Sequence, residues 1–384
     1  MIVSRLILKN WRNFQSVDVP LGERVFLAGP NASGKSNLLD VFRFLRDIAK
    51  PGGGLQKAVS DRGGFSRIRC LAARRYPDIE LEIHLSNKDD KQPEWRYSIG
   101  IKQEVRGYRQ PILSYEKVWV GDQQILNRPD NIDLKDKLRL TQTHLEQINA
   151  NAEFREIARF FESVLYLHLI PQLLRFPKEF SGPGIPGDPF GRSFLERVSK
   201  TSDRARQSRL NKIELALRSA VPQLKHLTYV VDTEEGGVPH LEAIYEHWRM
   251  RGARQREDQF SDGTLRLIGL LWSLLESDSL LLLEEPELSL HPEIVKKLAA
   301  LIHRLQKQKK RQVILSTHST DLLSDKGIGG DEVLLLIPGA ESTQVRLASS
   351  FDEIRALLEG GLSIAEAALP YTVPDNIGQL EIFK

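Results

Sequence analysis

Apolar and polar residues alternate from Ile2 to Leu8, the pattern of a strand with one buried face. A short apolar run follows at Arg24–Leu27 and ends at Gly29. Further strands are predicted at Ile79–Leu85, Trp95–Ile101 and Ser114–Val120. Between the first two runs and these, the period is helical: Leu38, Leu39, Val41, Phe42 and Leu45 give Asn37–Ile48 one apolar face. From about Leu138 the helical period returns. Phe154, Ile157, Ala158, Phe161 and Val164 form one stripe, and Leu210, Ile213, Leu215, Ala216 and Leu217 another. The prolines and glycines of Phe176–Gly191 predict a loop between them.

"TYVVD" and "HLEAIYEHW" then predict a hairpin turning at Glu234–Gly237. After Phe260 helices and strands alternate. Helices are expected at Thr264–Leu275 and Pro292–Lys307, and strands at Leu280–Leu283, Gln312–Ser316 and Asp331–Ile337, before short helices to the end. The succession is that of an α/β protein with an antiparallel β-rich start and a helical insertion, in three segments: 1–137, 138–225 and 226–384.

Composition narrows this picture rather than changing it. The 384 residues are 41% hydrophobic and 27% charged, with a net charge of +3, as in an ordinary globular chain. Cys70 is the only cysteine, which excludes a disulfide framework or a CxxC metal site and fits a reducing compartment. The most apolar region, Leu265–Leu283, is interrupted by Arg266, Glu276 and Asp278, so no membrane span is expected and a cytoplasmic location is.

The chemistry begins at "GPNASGKSN", Gly29–Asn37, which fits G-x-x-x-x-G-K-[ST] between an apolar strand and a helix. Gly29 and Gly34 let the backbone wrap a phosphate, and Asn31, Ser33 and Asn37 complete the loop. The helix N-terminus adds partial positive charge there. Lys35 is expected to reach the β- and γ-phosphates of a nucleotide, and the Ser36 hydroxyl to ligate Mg²⁺.

"LLLLEE" supplies a second element. Four leucines fit a strand buried on both faces, and the carboxyl ends of such strands collect ligands. Either the strand runs out into solvent or its acids serve the phosphate site. In the second reading Glu284 enters the Mg²⁺ shell and Glu285 orients and deprotonates the attacking water. "VILSTHS" is a third strand ending in polar residues, whose His318 is expected to sense the γ-phosphate.

Together, "GKSN", "LKNWRNF" (Leu8–Phe14), "FSDGTLRL" (Phe260–Leu267) and "EEPELSLHP" resemble the ABC-type ATPase superfamily, in its SMC/RecF/OLD-like branch of AAA_21 type. The resemblance covers both ends of the chain and leaves Leu138–Tyr229 aside. It implies a P-loop ATPase head with a mixed sheet. ATP and Mg²⁺ would be its ligands, and two copies would close around the nucleotide. Ser261 and Gly263 would form the signature contact to the γ-phosphate of the opposite subunit, and Ser289–His291 would cross the dimer interface. Ser261 is equally an ordinary helix N-cap, and both roles hold together. Glu287 is expected to be structural, on the rim of that interface. Three departures stand out: Glu284 replaces the usual Asp, Asp262 replaces the Gly of transporters, and neither Gln56 nor Gln103 is well placed as a Q-loop residue.

Basic residues cluster at Arg62, Arg67, Arg69, Arg74 and Arg75, from Arg192 to Lys212, and at Arg249, Arg251, Arg254 and Arg256. They suit phosphate contacts with DNA and solvated faces equally; the Lys307–Arg311 run reads as the cationic end of a helix. No nuclease segment follows the last motif, so a nuclease or toxin effector is expected on another chain. The expected activity is an ATP-switched dimer in DNA maintenance or anti-phage defence. The alternatives are a membrane transporter's nucleotide-binding subunit and a slowly hydrolysing nucleotide-gated scaffold.

Overall fold

The computed structural model describes residues 1–87, 94–105, 107–176, 188–232, 237–246 and 252–373. Arg249, Arg251, most of the expected Phe176–Gly191 loop and the turn residues Glu234–Gly236 lie outside them. The chain forms two compact units: Met1–Val164 with Arg311–Lys384, and Leu165–Lys310.

The first unit opens with β1 (Ile2–Trp11), β2 (Phe14–Pro20) and β3 (Arg24–Ala28), and continues with β4 (Ile79–Ser86), β5 (Trp95–Gln103), β6 (Pro111–Val120) and β7 (Gln123–Arg128). All but β3 join an antiparallel sheet in the order β2-β1-β4-β5-β6-β7. Its inner face follows directly from sequence alternation: Leu6, Leu8, Ile79, Leu81, Ile83, Tyr97, Ile99 and Val118 are buried. The helix Arg155–Glu162 packs there, with Phe161 edge-on to Tyr97 at 6.0 Å between ring centroids.

An ion-pair network pins the following segment to this sheet. Arg128 donates to both Asp133 oxygens at 2.9 Å, to Glu116 at 3.0 Å, and to the carbonyls of Gln142 and Arg139 at 2.9 Å. All three charged side chains are buried. Burial pulls the Asp133 carboxyl upward, but hydrogen bonds from Arg128, the Asp130 N–H and Arg139 outweigh it and hold it below the usual carboxylate range. Burial wins at Glu116, whose carboxyl is raised despite donors from the His144 N–H and Arg128.

The second layer of this unit holds the strand that precedes the glycine-rich loop. Within the unit, β13 (Val313–Thr317), β3, β14 (Val333–Pro338) and β15 (Thr343–Leu347) lie side by side, β3 parallel to both its neighbours. Gln312 ties the two layers: its amide donates to the carbonyls of Val3 and Gly22, and its oxygen accepts from the Val3 N–H. The helix Lys35–Ala49 is buried along most of its length, and Phe44 meets Trp11 at 5.1 Å.

The second unit holds β8 (Leu165–Leu167), β9 (Leu224–Asp232), β10 (Val238–Tyr245), β11 (Ala253–Arg256) and β12 (Leu281–Glu284). Strands β9, β10 and β11 form an antiparallel sheet, and β8 pairs in parallel with β12. The helix Asp262–Glu276 is buried on every side from Thr264 to Leu275, as its unbroken apolar run requires. Five strands escape the sequence pattern: β2, β7, β11, β15, and β8, which sits inside the segment expected to be helical. With three residues, β8 is too short to show a period. Leu215, expected on the apolar stripe of the helix Asp203–Leu217, is 65% exposed.

Candidate functional site

In the first unit, β3 delivers the chain into Gly29–Gly34 and the helix starts at Lys35. Each glycine is required by its surroundings. A Cβ on Gly29 would lie 2.7 Å from the Leu336 carbonyl oxygen, and Gly34 adopts φ +99°. Lys35 is buried and folds back so that its ammonium donates to the Gly29 and Pro30 carbonyls at 2.8 and 3.0 Å. The Ser33 hydroxyl is buried with no hydrogen-bond partner, while Asn31 and Ser36 are exposed and Asn37 half-buried. An ammonium, an orphaned hydroxyl and an exposed hydroxyl around a side-chain-free cradle suit a polyphosphate and its divalent cation.

The turn between β1 and β2 braces this loop. The Trp11 indole donates to the Asn37 carbonyl at 2.9 Å, and Arg12 pairs with Asp40 at 2.6 Å. Asn13 donates to the Ser33 carbonyl at 2.9 Å and accepts from the Asn37 amide at 2.8 Å. Asp40 also receives Arg62, whose burial disfavours its charge but whose partners Asp40 and Asp47 more than restore it. Arg62 is therefore spoken for within the fold and drops out of the basic cluster, whereas Arg67, Arg74 and Arg75 stay exposed. Register puts His318 beside this site: Thr317 is opposite Ala28 on neighbouring parallel strands, so His318 and Gly29 leave adjacent strand ends. His318 is exposed there. The amide groups of Gln56 and Gln103 both donate to backbone carbonyls of their own unit.

The second unit gathers Ser261, Gly263, Glu284 and Glu285. Ser261 caps its helix, accepting from the Thr264 N–H at 3.2 Å. A Cβ on Gly263 would stand 2.8 Å from the Ser289 carbonyl oxygen, so the helix start and the Ser289 turn (φ +63°) touch backbone to backbone. Asp262 is paired: Arg175 bonds its carboxylate at 2.7 Å and the Phe260 carbonyl at 2.6 Å. The negative charge that departs from transporter sequences is thus locally neutralised. Tyr166 on β8, opposite Leu282 on β12, donates its phenol to Glu284. Glu285 turns the chain with φ +45°, a conformation costly for a residue with a Cβ and one that clusters at functional sites.

The remaining acid of this stretch is Glu287. It is buried, and with Asp262 and Glu285 it opposes the burial that depresses the Arg266 guanidinium. The expected arginine stretches are also largely committed inside this unit. Arg197 pairs with Glu276, Arg206 caps the carbonyls of Ser199 and Thr201, Arg209 bonds the Glu276 carbonyl, and Arg254 and Arg256 pair with Glu242 and Asp232.

Residues 24–325 match the family AAA_21, described as "AAA domain, putative AbiEii toxin, Type IV TA system". The chain belongs to the AAA_21 family. As an AAA_21 protein it carries a P-loop NTPase-type, ATPase-like domain. Its fold is shared with Smc heads. One, solved bound to the C-winged helix domain of ScpA, is 15% identical over 91% of this chain and 100% of that one, with a TM-score of 0.54. Another, from Pyrococcus furiosus and bound to the C-terminal domain of ScpA, is 13% identical over 93% and 98%, with a TM-score of 0.50. At such identities the likeness is one of fold. No curated protein matches the sequence, and no helix among the described residues is long and apolar enough to cross a membrane.

Sequence reasoning passed over Asn13, Tyr166, Arg175 and Arg266 in this AAA_21 chain. Asn13 and Arg266 stand inside the motif stretches Leu8–Phe14 and Phe260–Leu267, so their positions were in view without a role. Tyr166 and Arg175 lie in the segment where no motif points to anything, and only the fold brings them to Glu284 and Asp262.

Proposed function

We propose that this AAA_21 protein binds and hydrolyses ATP, and that two copies close on the nucleotide as a switch for a separately encoded effector. The observation that carries the reading is the cradle at Gly29–Asn37: glycines that tolerate no Cβ, a buried Lys35 and a helix start braced by Trp11 and Asn13. In this reading the loop N–H groups and Lys35 hold the phosphates, with Asn31, Ser33, Gly34 and Asn37 shaping the loop. Ser36 and Glu284 hold Mg²⁺, which when bound neutralises charge on the phosphates. Glu285 takes the proton from water and His318 donates towards the terminal phosphate. Ser261 and Gly263 meet the nucleotide of a second copy. Segments 1–137, 138–225 and 226–384 serve as first lobe, insertion and second lobe.

A protein partner is part of this proposal, supported by Smc heads of the same fold that were solved with ScpA domains. The proposed role is anti-phage defence rather than DNA maintenance, with a nuclease or toxin as the effector; the toxin–antitoxin wording of the family description supports a defence role and says nothing of the effector. Exposed Arg67, Arg74 and Arg75 leave DNA as a further ligand. The cytosol is the proposed location. ATP turnover abolished in Lys35→Ala, together with an ATP-bound dimer of Glu285→Gln in light scattering, is the expected result. An unaltered Lys35→Ala rate removes the catalytic assignment, and a Glu285→Gln chain that stays monomeric with ATP removes the dimer switch.

A further inference from the structure

Asn13 occupies the volume that a side chain on Gly34 would need. A Cβ on Gly34 would fall 2.2 Å from Asn13 Nδ2 and 2.5 Å from its Oδ1, so the glycine of the loop and the asparagine of the β1–β2 turn are two halves of one fit. Every polar group of Asn13 beyond its N–H is used. Nδ2 donates to the Ser33 carbonyl at 2.9 Å and to the Thr343 hydroxyl at 2.8 Å, Oδ1 accepts from the Asn37 amide at 2.8 Å, and its own carbonyl accepts from the Thr343 N–H at 2.9 Å. Thr343, the buried first residue of β15, is 330 positions away in the chain.

The consequence lies in the Ser33–Gly34 peptide. In a trans peptide the C=O and N–H point in opposite directions. With the Ser33 carbonyl anchored on Asn13, the Gly34 N–H is aimed away from Asn13. The Ser33 hydroxyl does not hold this plane, having no hydrogen-bond partner, and at φ +99° the glycine itself permits other peptide orientations. We propose that Asn13, held in turn by Thr343, is a positioning residue that presets the Ser33–Gly34 peptide so that its N–H faces a bound phosphate. The proposal rests on the reading of Gly29–Asn37 as a nucleotide site. It makes the start of β15 part of that site's support, although no motif marks β15.

The test measures ATP and ADP affinity by titration calorimetry on the full chain, well below its melting temperature, for wild type, Lys35→Ala, Asn13→Ala, Asn13→Asp and Thr343→Val. Loss of one oriented N–H donor predicts about tenfold weaker binding of both nucleotides in Asn13→Ala. Thr343→Val keeps the shape and removes the hydroxyl, so a smaller loss in the same direction is expected, and a chain carrying both Asn13→Ala and Thr343→Val should lose less than the sum. Asn13→Asp supplies the readout that a merely structural residue would not move. At pH 8 the introduced carboxylate cannot donate to Ser33 and binding is weakest; partial burial against the Ser33 carbonyl favours its protonated form, so as pH falls to 5 a growing fraction regains a donor and affinity relative to wild type rises. If Asn13→Ala does not fold, the Thr343→Val and Asn13→Asp arms decide. Wild-type affinity in all Asn13 and Thr343 variants, with Lys35→Ala defective, overturns this proposal and leaves the nucleotide site standing. A wild-type chain that binds no nucleotide overturns both.

Discussion

Replacing Arg128 by Met should destabilise the first unit far more than its distance from the glycine-rich loop suggests. The guanidinium is 1% exposed and makes five hydrogen bonds, three of them to the buried carboxylates of Asp133 and Glu116. Methionine fills most of the volume, so the cost is electrostatic rather than a cavity. Breaking a buried ion pair by removing one partner costs about 3–5 kcal/mol. The remaining donors favour the lower end of that range. Glu116 keeps the Tyr97 hydroxyl and the His144 and Leu145 N–H groups, and Asp133 keeps Arg139 and the Asp130 N–H. Urea unfolding followed by tryptophan fluorescence, at unchanged m-value, reads the difference. The sign of its pH dependence follows from linkage. Wild-type Asp133 has a depressed pKa, so its contribution is present above the ordinary carboxylate range and is lost as pH falls. Without Arg128 both carboxyls titrate at higher pH. The gap between wild type and variant should therefore be widest near pH 8 and narrow towards pH 5. A loss below about 1 kcal/mol at pH 8, or a gap that does not narrow, would refute the account of this network as a paired buried charge cluster.

Gly263→Ala should lower the melting temperature and abolish ATP turnover together, because a Cβ 2.8 Å from the Ser289 carbonyl forces two backbones apart; overpacking of this kind costs about 1–3 kcal/mol, and scanning calorimetry checks it. His144 supplies an acid-sensitive element. Burial, then the nearby Arg128 charge, lowers its pKa to about 4, so the folded chain resists a proton that the unfolded chain accepts. Stability should rise with pH from about 4 to about 6.5 on this account, and His144→Gln should flatten that rise in denaturation midpoints taken across the window.

Elements with a clear period were legible from sequence. The strands at Ile79–Leu85 and Trp95–Ile101 and the helices at Asn37–Ile48 and Pro292–Lys307 appear with ends shifted by a few residues, because alternating or 3.6-residue burial marks them locally. β8 was hidden: three residues carry no period, and their strand character comes only from pairing with β12. Leu215 shows the reverse failure, an apolar residue whose helix turns it to solvent.

The loop Gly29–Asn37, the carboxylates at Glu284–Glu285, the capping Ser261 and the His318 strand end were determined by sequence alone, since each depends on short-range spacing and on a neighbouring strand or helix. The partners of these groups were decided by tertiary structure. Asp262 meets Arg175, Glu287 is buried near Arg266, Tyr166 reaches Glu284, and Asn13 joins Ser33 to Thr343. Such pairs are separated by tens to hundreds of residues, and a charge or amide on the chain carries no local sign of which distant group will satisfy it. Burial makes that satisfaction necessary, and only packing determines which residue provides it.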